Sequence, residues 1–380
     1  MRQLFVFVGL ALLALYGLLN YYIGLRGWQA LGRFVPGLSP RIYWLIFWTI
    51  AFAYLLGRAG EKFLPAPIAS AVLVGGSYWF VAMIYFFLIA AVVDLARFGL
   101  RLAGASWPSV PAYTVGVLAL LLVVVLLAYG TVNARRPVVR EYEITVPKEV
   151  PGREELKIVA VSDLHIDRVM TRARLQKMVE MVQAQKPDLI LLAGDIIDED
   201  PAPFAEKRMA DVMRQLRAPL GVYAVPGNHE YYGGRLKETI AHLEAAGIKV
   251  LRDEWVLTQG IYVAGRDERG HGPQQLPPRK KVAELLQGVD RKRPVILLTH
   301  QPVEVEEAAR AGVDLMVSGH THAGQFWPIG LITSRIFRED WGLLREGNFY
   351  LVVSSGYGTW GPPVRIGNRP EIVVIRVKFR

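Results

Sequence analysis

The sequence predicts an α-helical transmembrane bundle followed by an α/β domain, a two-sheet β-sandwich flanked by helices. Three observations predict this fold class. The first 134 residues contain four long apolar runs, of a length that crosses a bilayer. The remaining residues alternate short apolar strands with amphipathic helices, which is typical of α/β domains. At the two ends of this second part, residues 141–146 and 371–379 alternate apolar and polar side chains, as antiparallel strands do. This pattern favours two packed sheets over one open sheet.

The composition separates the chain into two parts of different character. Of its 380 residues 52% are hydrophobic and 21% charged, and the mean hydropathy is +0.26, which argues against a wholly soluble protein. No cysteine is present, which excludes disulfides, thiolate metal sites and thiol nucleophiles. Residues 1–134 hold seven Arg and one Lys against one Glu and one Asp, more than half of the net charge of +10. Basic residues that flank apolar runs are typical of membrane proteins, so we expect no nucleic-acid partner.

The four apolar runs give the expected spans, at about 3–25, 42–57, 68–93 and 111–132 within a membrane region 1–134. The second run is short, and three spans remain the alternative if it is only interfacial. The first run is too long for a cleaved signal peptide. Arg135 and Arg136 directly follow the last run, and the positive-inside rule then predicts a multi-pass protein of the cell inner membrane with its C-terminal domain, 153–380, on the cytoplasmic side. We expect Asp94, near a span end, to be a paired or snorkelling charge rather than a proton relay.

After the membrane region, we expect residues 135–152 to form a linker that contains a first strand, and residues 153–380 to form the soluble domain. Apolar runs and alternation predict the following strands: Val138–Val146, Leu156–Val161, Leu189–Leu192, Val222–Val225, Ile261–Ala264, Val295–Leu298, Leu315–Val317, Phe349–Val353 and Ile372–Val377. Helical periodicity predicts the following helices: Arg172–Gln185, Ala205–Leu216, Arg235–Ala246, Val282–Leu286 and Glu304–Ala311.

Polar clusters follow five of these strands directly. They contain the residues Asp163 and His165, then Asp195, then Asn228 and His229, then His300, and finally His320 and His322. The carboxyl ends of strands in an α/β core line one edge, where ligand chemistry collects, so we expect these side chains to converge. His242 reads as an ordinary surface residue in a helix, and His271 lies in a polar loop, 267–278, that could border the site.

The donor set predicts a metal site. Carboxylate, amide and imidazole donors without cysteine suit Mn²⁺, Fe or Zn²⁺. Seven of these residues, all except His229, are candidate ligands. Seven are too many for one ion, whereas two ions that share a bridging carboxylate would use them all. Two ions about 3.5–4 Å apart activate water and clamp a phosphoryl group. The clusters therefore predict a dinuclear centre suited to attack of water on a phosphoryl group.

The sequence resembles the calcineurin-like metallophosphoesterases over about residues 153–380. The resemblance is carried by the order of its motifs, which are Asp-x-His, Gly-Asp, Gly-Asn-His-Glu, His and Gly-His-x-His. Two further segments resemble the YkuE-like branch of this family, which is often membrane-tethered. These segments are Gly319-His320-Thr321-His322-Ala323-Gly324-Gln325 and Gly358-Thr359-Trp360-Gly361-Pro362-Pro363-Val364-Arg365. The resemblance implies a β-sandwich flanked by helices. It also implies one ion on Asp163, His165 and His322, a second on Asn228, His300 and His320, Asp195 as the bridge, and His229 as a catalytic residue that is not a ligand.

Large apolar residues in 326–332 and 336–337 follow the last cluster. They predict a lip that contacts the bilayer or an acyl chain, although packing against the domain's own core is the alternative. We therefore take Phe326 and Trp327 as candidate substrate contacts, and Arg335 and Arg365, with Arg338, as candidates for anionic groups.

The sequence thus predicts a membrane-anchored dimetal phosphohydrolase, with Mn²⁺ as the favoured ion. The resemblance extends to UDP-2,3-diacylglucosamine hydrolases of lipid A biosynthesis, which makes that lipid-linked pyrophosphate the candidate substrate. The alternatives are a general phosphodiesterase or phosphatase on soluble or phospholipid substrates, and a non-catalytic metal-binding, sensor or transport protein. The expected partners are the lipid bilayer and the substrate, and no feature indicates a protein partner.

Overall fold

The computed structural model describes residues 2–32, 35–60, 63–108, 110–268 and 278–380. The chain forms two compact units. The first comprises Met1–Thr131 and Gly361–Val364, and the second comprises Val132–Trp360 and Arg365–Arg380.

The first unit is built from long apolar helices: α1 Arg2–Leu31, α2 Pro40–Gly60, α3 Ala66–Leu102 and α4 Ala112–Asn133. Among the residues that the structure describes, these four helices are long and apolar enough to cross a membrane. Many of their large apolar side chains are exposed on the outside of the bundle, as expected for helices that face lipid. Helix α3 continues past the expected end of the span at residue 93, because the charged residues Asp94 and Arg97 end the apolar run but not the helix.

Two contacts show how the bundle packs. A Cβ on Gly76 of α3 would lie 2.3 Å from the backbone N of Tyr54, so glycine lets the backbones of α2 and α3 approach closely. The Asp94 carboxylate accepts a hydrogen bond of 2.5 Å from the Tyr22 hydroxyl and pairs with Arg26. The expectation that Asp94 is a paired charge is confirmed.

The second unit contains twelve strands within its described residues: β1 Val138–Val146, β2 Glu155–Val161, β3 Leu189–Ala193, β4 Val222–Val225, β5 Lys249–Val250, β6 Glu254–Thr258, β7 Ile261–Gly265, β8 Val295–Leu298, β9 Leu315–Ser318, β10 Gly342–Glu346, β11 Phe349–Val353 and β12 Glu371–Phe379. They form two six-stranded sheets, in the orders β1-β12-β2-β3-β4-β5 and β10-β11-β9-β8-β7-β6. The predicted two-sheet sandwich is confirmed.

The sheets are mixed, with a parallel centre in each. Strands β2, β3, β4 and β5 run parallel, as do β11, β9, β8 and β7. One buried cluster fills the space between the sheets, and two more cover their outer faces. Because the central strands are parallel within each sheet, their carboxyl ends gather at a common edge.

The terminal strands differ from the expectation. Strand β12 is antiparallel to β2 but parallel to β1, and Glu371–Ile375 is buried throughout rather than on alternate residues. The reason is that β12 lies inside the sheet: Ile372 and Val374 face the outer cluster, while Val373 and Ile375 face the cluster between the sheets.

Short helices flank the sheets: α5 Arg172–Ala184, α6 Ala202–Glu206, α7 Met209–Met213, α8 Asn228–Tyr232, α9 Leu236–Ala245, α10 Val282–Leu285, α11 Val305–Arg310 and α12 Gly330–Ile336, with a 3-10 turn at His322–Gly324. The single helix expected over Ala205–Leu216 is two helices, because Arg208 between them has a left-handed φ of 53°.

Candidate dinuclear metal centre

All eight predicted metal ligands and catalytic residues lie in the segments that follow β2, β3, β4, β8 and β9 at their carboxyl ends, with Asn228 and His229 at the start of α8. Several of these loops hold a donor residue in the left-handed region, which L-residues adopt at a cost and which clusters at functional sites. The residues concerned are Asp163 (φ 53°), His165 (45°), Asp195 (49°), His320 (73°) and His322 (51°). The backbone strain therefore serves to aim the side chains.

One group consists of three buried residues, Asp163, His165 and His322. The Nε2 atoms of His165 and His322 lie 3.1 Å apart. The Nε2 of His322 also lies 3.4 Å from Oδ1 of Asp163. Their donor atoms therefore face one small volume.

A second group gathers around His300. Its Nε2 lies 3.0 Å from Oδ1 of Asn228, 3.1 Å from Nδ1 of His320 and 3.1 Å from Oδ2 of Asp195. Two imidazoles, an amide oxygen and a carboxylate oxygen thus converge on a second volume.

Asp195 connects the two groups. Its Oδ2 lies 3.1 Å from Nε2 of His300 and 3.8 Å from Nε2 of His165. Its other oxygen accepts a hydrogen bond of 2.9 Å from the backbone N–H of His229, which holds the carboxylate in place. Oδ2 is therefore directed at both volumes.

The hydrogen bonds around these residues fit metal ligands. Nδ1 of His300 lies 2.8 Å from the carbonyl oxygen of Ala193. A proton on Nδ1 that is donated there leaves the lone pair of Nε2 directed at the centre, as in metal-ligating histidines. Asp163 accepts the backbone N–H of His320 at 3.1 Å, so this ligand is also oriented from behind.

The pKa values of the donor side chains are strongly shifted by burial and by their neighbours. Burial alone would raise the pKa of Asp195, but the surrounding imidazoles, His300 foremost, hold it well below its usual range. Burial and the neighbouring His300 lower the pKa of His320 to about 3. Burial alone would lower the pKa values of His300 and His165, but Asp195 raises that of His300 well above its ordinary value and Asp198 raises that of His165 to about 9. These two imidazoles must therefore lose their protons when they bind cations. The donor set and its geometry therefore fit two divalent ions.

His229 lies beside the centre and has its own partner. Nδ1 of His229 is 2.6 Å from Oδ1 of Asp198, and its ring contacts those of Tyr232 and Trp360 at 5.2 and 6.1 Å between centroids. The neighbouring imidazoles of His165 and His229 outweigh burial and hold the pKa of Asp198 well below its usual value. Asp198 was not among the predicted site residues, although its position three residues after Asp195 was visible.

Glu230 is a second residue that the sequence interpretation missed. Its buried carboxylate accepts hydrogen bonds from the backbone N–H groups of Ile196 at 2.6 Å and Gly227 at 2.7 Å. It also accepts those of Asp195 and Ile197. Glu230 thereby joins the loop after β3 to the loop after β4, and its place directly after Asn228-His229 was the available signal.

The predicted substrate contacts separate into two kinds. Arg365 is 0% exposed, and its guanidinium donates to the carbonyls of Ser355 and Gly358, at 2.7 Å each. The loops around Arg365 cover it completely in this structure, and its role as a substrate contact stays a prediction. Arg335 is exposed and donates to the carbonyl of Leu331 at 2.6 Å.

The apolar residues after the last cluster remain largely at the surface. Phe326 is half-buried and Trp327 is 53% exposed. Helix α12 buries none of its residues, so the alternative of core packing does not hold for it. We call the following exposed residues the apolar rim: Trp327, Leu331, Ile332, Ile336 and Trp360.

The rim borders the centre. Trp360 contacts the ring of His229 as described above, and Phe337, directly after α12, contacts the ring of His320 at 5.9 Å.

His242 packs its ring on Phe204, at 5.5 Å. His271, expected near the site, lies outside the described residues.

Comparison with known proteins gives a family match. The family model described as "Calcineurin-like phosphoesterase" matches residues 156–324. An uncharacterized metallophosphoesterase of Aquifex aeolicus is 36% identical over 244 residues, which cover 63% of this chain and 91% of that protein. A Danio rerio transmembrane protein with metallophosphoesterase domain is 33% identical over 281 residues, or 69% of this chain, but the chain spans only 62% of that protein's length. The uncharacterized metallophosphoesterase YkuE of Bacillus subtilis is 30% identical over 60% of this chain and 80% of its own.

Proposed function

The chain belongs to the calcineurin-like metallophosphoesterases, and from this premise we propose that it is a membrane-anchored dimetal phosphohydrolase that cleaves a phosphodiester or pyrophosphate bond of a lipid-linked substrate. Phosphoester hydrolysis follows from the family. The dinuclear form of the site is carried by one observation, the position of Oδ2 of Asp195 between His300 and His165.

We assign one ion to Asp163, His165 and His322 and the other to Asn228, His300 and His320, with Asp195 shared between them. The two groups of converging donors support this division. Three of the seven donors are oxygens and four are imidazole nitrogens, a mixture that suits Mn²⁺, Fe and Zn²⁺. Mn²⁺ is the ion that we favour.

Bound at this site, two divalent ions would supply activation of the attacking water and Lewis acidity toward the phosphoryl group. The residues of the chain perform the remaining tasks. His229 donates a proton to the leaving oxygen or a hydrogen bond to a phosphoryl oxygen. Asp198 fixes the orientation of the His229 ring through Nδ1 and stabilises the positive charge that the ring carries when it is protonated. Glu230 holds the loops that carry Asp195 and His229 in register.

The apolar rim supports a lipid-linked substrate. Its five members are each more than half exposed, and two of them are tryptophans, which favour membrane–water interfaces. Exposed apolar surface beside a phosphoesterase site suits a substrate whose scissile phosphate lies near an acyl chain. UDP-2,3-diacylglucosamine has this chemistry and is the candidate that we propose.

We propose that the protein lies in the cell inner membrane with the catalytic unit on the cytoplasmic side. The support is the charge pattern, since Arg135 and Arg136 follow directly after the fourth apolar helix. Protease treatment of inverted and right-side-out vesicles tests this proposal. Cleavage of the catalytic unit in inverted vesicles only is the expected result, and cleavage in right-side-out vesicles only would place it on the opposite side.

A hydrolysis assay of the full chain with Mn²⁺ tests the substrate class. The substrates are bis-(p-nitrophenyl) phosphate, UDP-2,3-diacylglucosamine and its deacylated form. We expect the acylated nucleotide to be cleaved faster than the deacylated one. Equal rates on both would favour a general phosphodiesterase, and no hydrolysis of any substrate by metal-loaded protein would favour a binding module.

A matched pair of variants tests the rim itself. Leu331→Asn changes a rim residue that is 51% exposed, and Leu257→Asn changes a leucine on β6 that is 48% exposed. We expect Leu331→Asn to lower kcat/KM for the acylated substrate about 5- to 10-fold, because removing one buried apolar side chain from an interface costs about 1–1.5 kcal/mol. Its rate on bis-(p-nitrophenyl) phosphate and both rates of Leu257→Asn should match those of the unaltered protein. A loss that is equal on both substrates would contradict a role of the rim in lipid recognition.

A further inference from the structure

One loop contacts a ligand of the ion that we assign to Asp163, His165 and His322. In the segment Arg365–Asn368, the side-chain Nδ2 of Asn368 donates to the carbonyls of His322 and Ala323, at 3.1 Å each. Nη2 of Arg365 lies 3.4 Å from Nδ1 of His322. The backbone and the ring of His322 are thus both contacted by this loop.

The same loop also supports Asp163. Arg365 donates to the carbonyls of Ser355 and Gly358, and the backbone N–H of Gly358 donates to the carbonyl of Asp163 at 2.7 Å. A Cβ on Gly356 would lie 2.8 Å from Cβ of Asp163, so the segment Ser355–Gly358, which Arg365 holds, packs closely on the ligand. Asp163 and His322 belong to the same group of donors, and the loop therefore supports one half of the centre.

Asn133, the last residue of α4, holds this loop from the other side. Asn133 is buried, and its Nδ2 donates to the carbonyl of Arg365 at 3.0 Å and to that of Asn368 at 2.7 Å. The amide has two N–H groups, and both are used on the loop.

The residue after Asn133 is fixed as well. Nη2 of Arg174 donates to the carbonyls of Ala134 and Tyr357, at 3.0 Å each. The hydroxyl of Tyr357 in turn donates to the carbonyl of Arg174 at 3.0 Å. Asn133 is therefore held at a defined position rather than at a frayed helix end.

A buried amide is costly unless its hydrogen bonds are made, and an apolar residue would end an apolar helix at lower cost. We propose that Asn133 is a positioning residue for the metal centre, which acts through Arg365–Asn368 on the half formed by Asp163, His165 and His322. This inference rests on the proposed function, since it requires that the centre binds metal. It assigns a role in metal binding to a residue far from the metal ligands in sequence.

The test is Mn²⁺ titration of the full chain in detergent, by calorimetry and electron paramagnetic resonance. In Asn133→Ala we expect one Mn²⁺ to bind about 10-fold more weakly, the size usual for the loss of a partner that orients a metal ligand. The other ion should keep its affinity, so that an uncoupled Mn²⁺ signal replaces the spin-coupled one at intermediate loading. Asn348→Ala, which changes an exposed asparagine, is the control and should titrate as the unaltered protein does.

Unchanged affinity for both ions in Asn133→Ala would overturn the inference. Equal weakening of both ions, together with a lower Tm of the metal-free protein, would also overturn it, because that result describes a structural role only. If the unaltered protein bound no Mn²⁺, the proposed function would fail instead.

Asn368→Ala provides a second route if Asn133→Ala does not fold. It removes the contact with His322 at the other end of the same loop, and the same single ion should weaken. In the double variant the two losses should be less than additive, because both act through one loop. Fully additive losses would contradict the coupling.

Discussion

At the scale of single residues, the environment of His229 decides which of the site's imidazoles performs acid–base chemistry. Nδ1 of His229 lies 2.6 Å from the Asp198 carboxylate, while the Nε2 atoms of His165 and His322 face each other at 3.1 Å. A histidine paired with a carboxylate is oriented for proton transfer, whereas imidazoles that converge with carboxylates are oriented for a cation.

Asp198→Asn tests this division of roles. The amide cannot stabilise a protonated His229, so we expect kcat to fall about 100-fold, the lower range for general acid–base catalysis. The number of bound metal ions should not change, and metal content and kcat are to be measured on the same preparation. Asp290→Asn, at an exposed position, is the control. Loss of metal in parallel with activity would contradict the assignment and make Asp198 part of the metal site.

The sequence predicted the seven donors because each follows an apolar strand whose carboxyl end lies at one edge. Asp198 was not predicted, because it follows two isoleucines and its sequence context is that of any polar residue after a strand. Arg365 was predicted to face substrate, yet it is fully buried. Sequence pattern does not reveal such burial, since it results from the packing of loops that are distant along the chain.

At the scale of elements, the loops after the strands depend on close contacts with their neighbours. A Cβ on Gly227 would lie 2.2 Å from Oδ1 of Asp195, in the position where that oxygen accepts the N–H of His229. Even the smallest side chain at this position would displace the shared carboxylate.

Gly227→Ala should therefore reduce metal binding and lower kcat/KM at least 100-fold, because a displacement of about 1 Å at a reacting centre can cost that much. Metal content and hydrolysis of bis-(p-nitrophenyl) phosphate measure the two effects. Gly99→Ala is the matched control, since a Cβ there meets nothing within 4 Å. Normal metal content in Gly227→Ala would show that the loop can relax around the methyl group.

The short central strands were predicted nearly to the residue, because continuous apolar runs mark strands that are covered on both faces. Three strands were missed, Lys249–Val250, Glu254–Thr258 and Gly342–Glu346. All three lie at sheet edges, where partial exposure leaves no apolar run to detect. The break at Arg208 was also missed, since a left-handed residue other than glycine has no strong sequence signal.

At the scale of the whole molecule, the sequence foresaw the division into an apolar helical part and an α/β part, because the two differ in composition and in charge. The apolar rim was foreseen only in part. Trp360 joins it because the backbone N–H and carbonyl of Trp360 bond to the side chain of Gln325, at 2.8 and 3.0 Å. A contact between residues so far apart in sequence cannot be read from local pattern.

The central claim is that two divalent ions share Asp195, and the most direct test is the metal content and turnover of full-length Asp195→Asn beside the unaltered protein. Both are to be measured after loading with Mn²⁺ and removal of free metal. We expect two ions in the unaltered chain, at most one in Asp195→Asn, and a loss of nearly all hydrolysis of bis-(p-nitrophenyl) phosphate. Two tightly bound ions and near-normal turnover in Asp195→Asn would contradict the account.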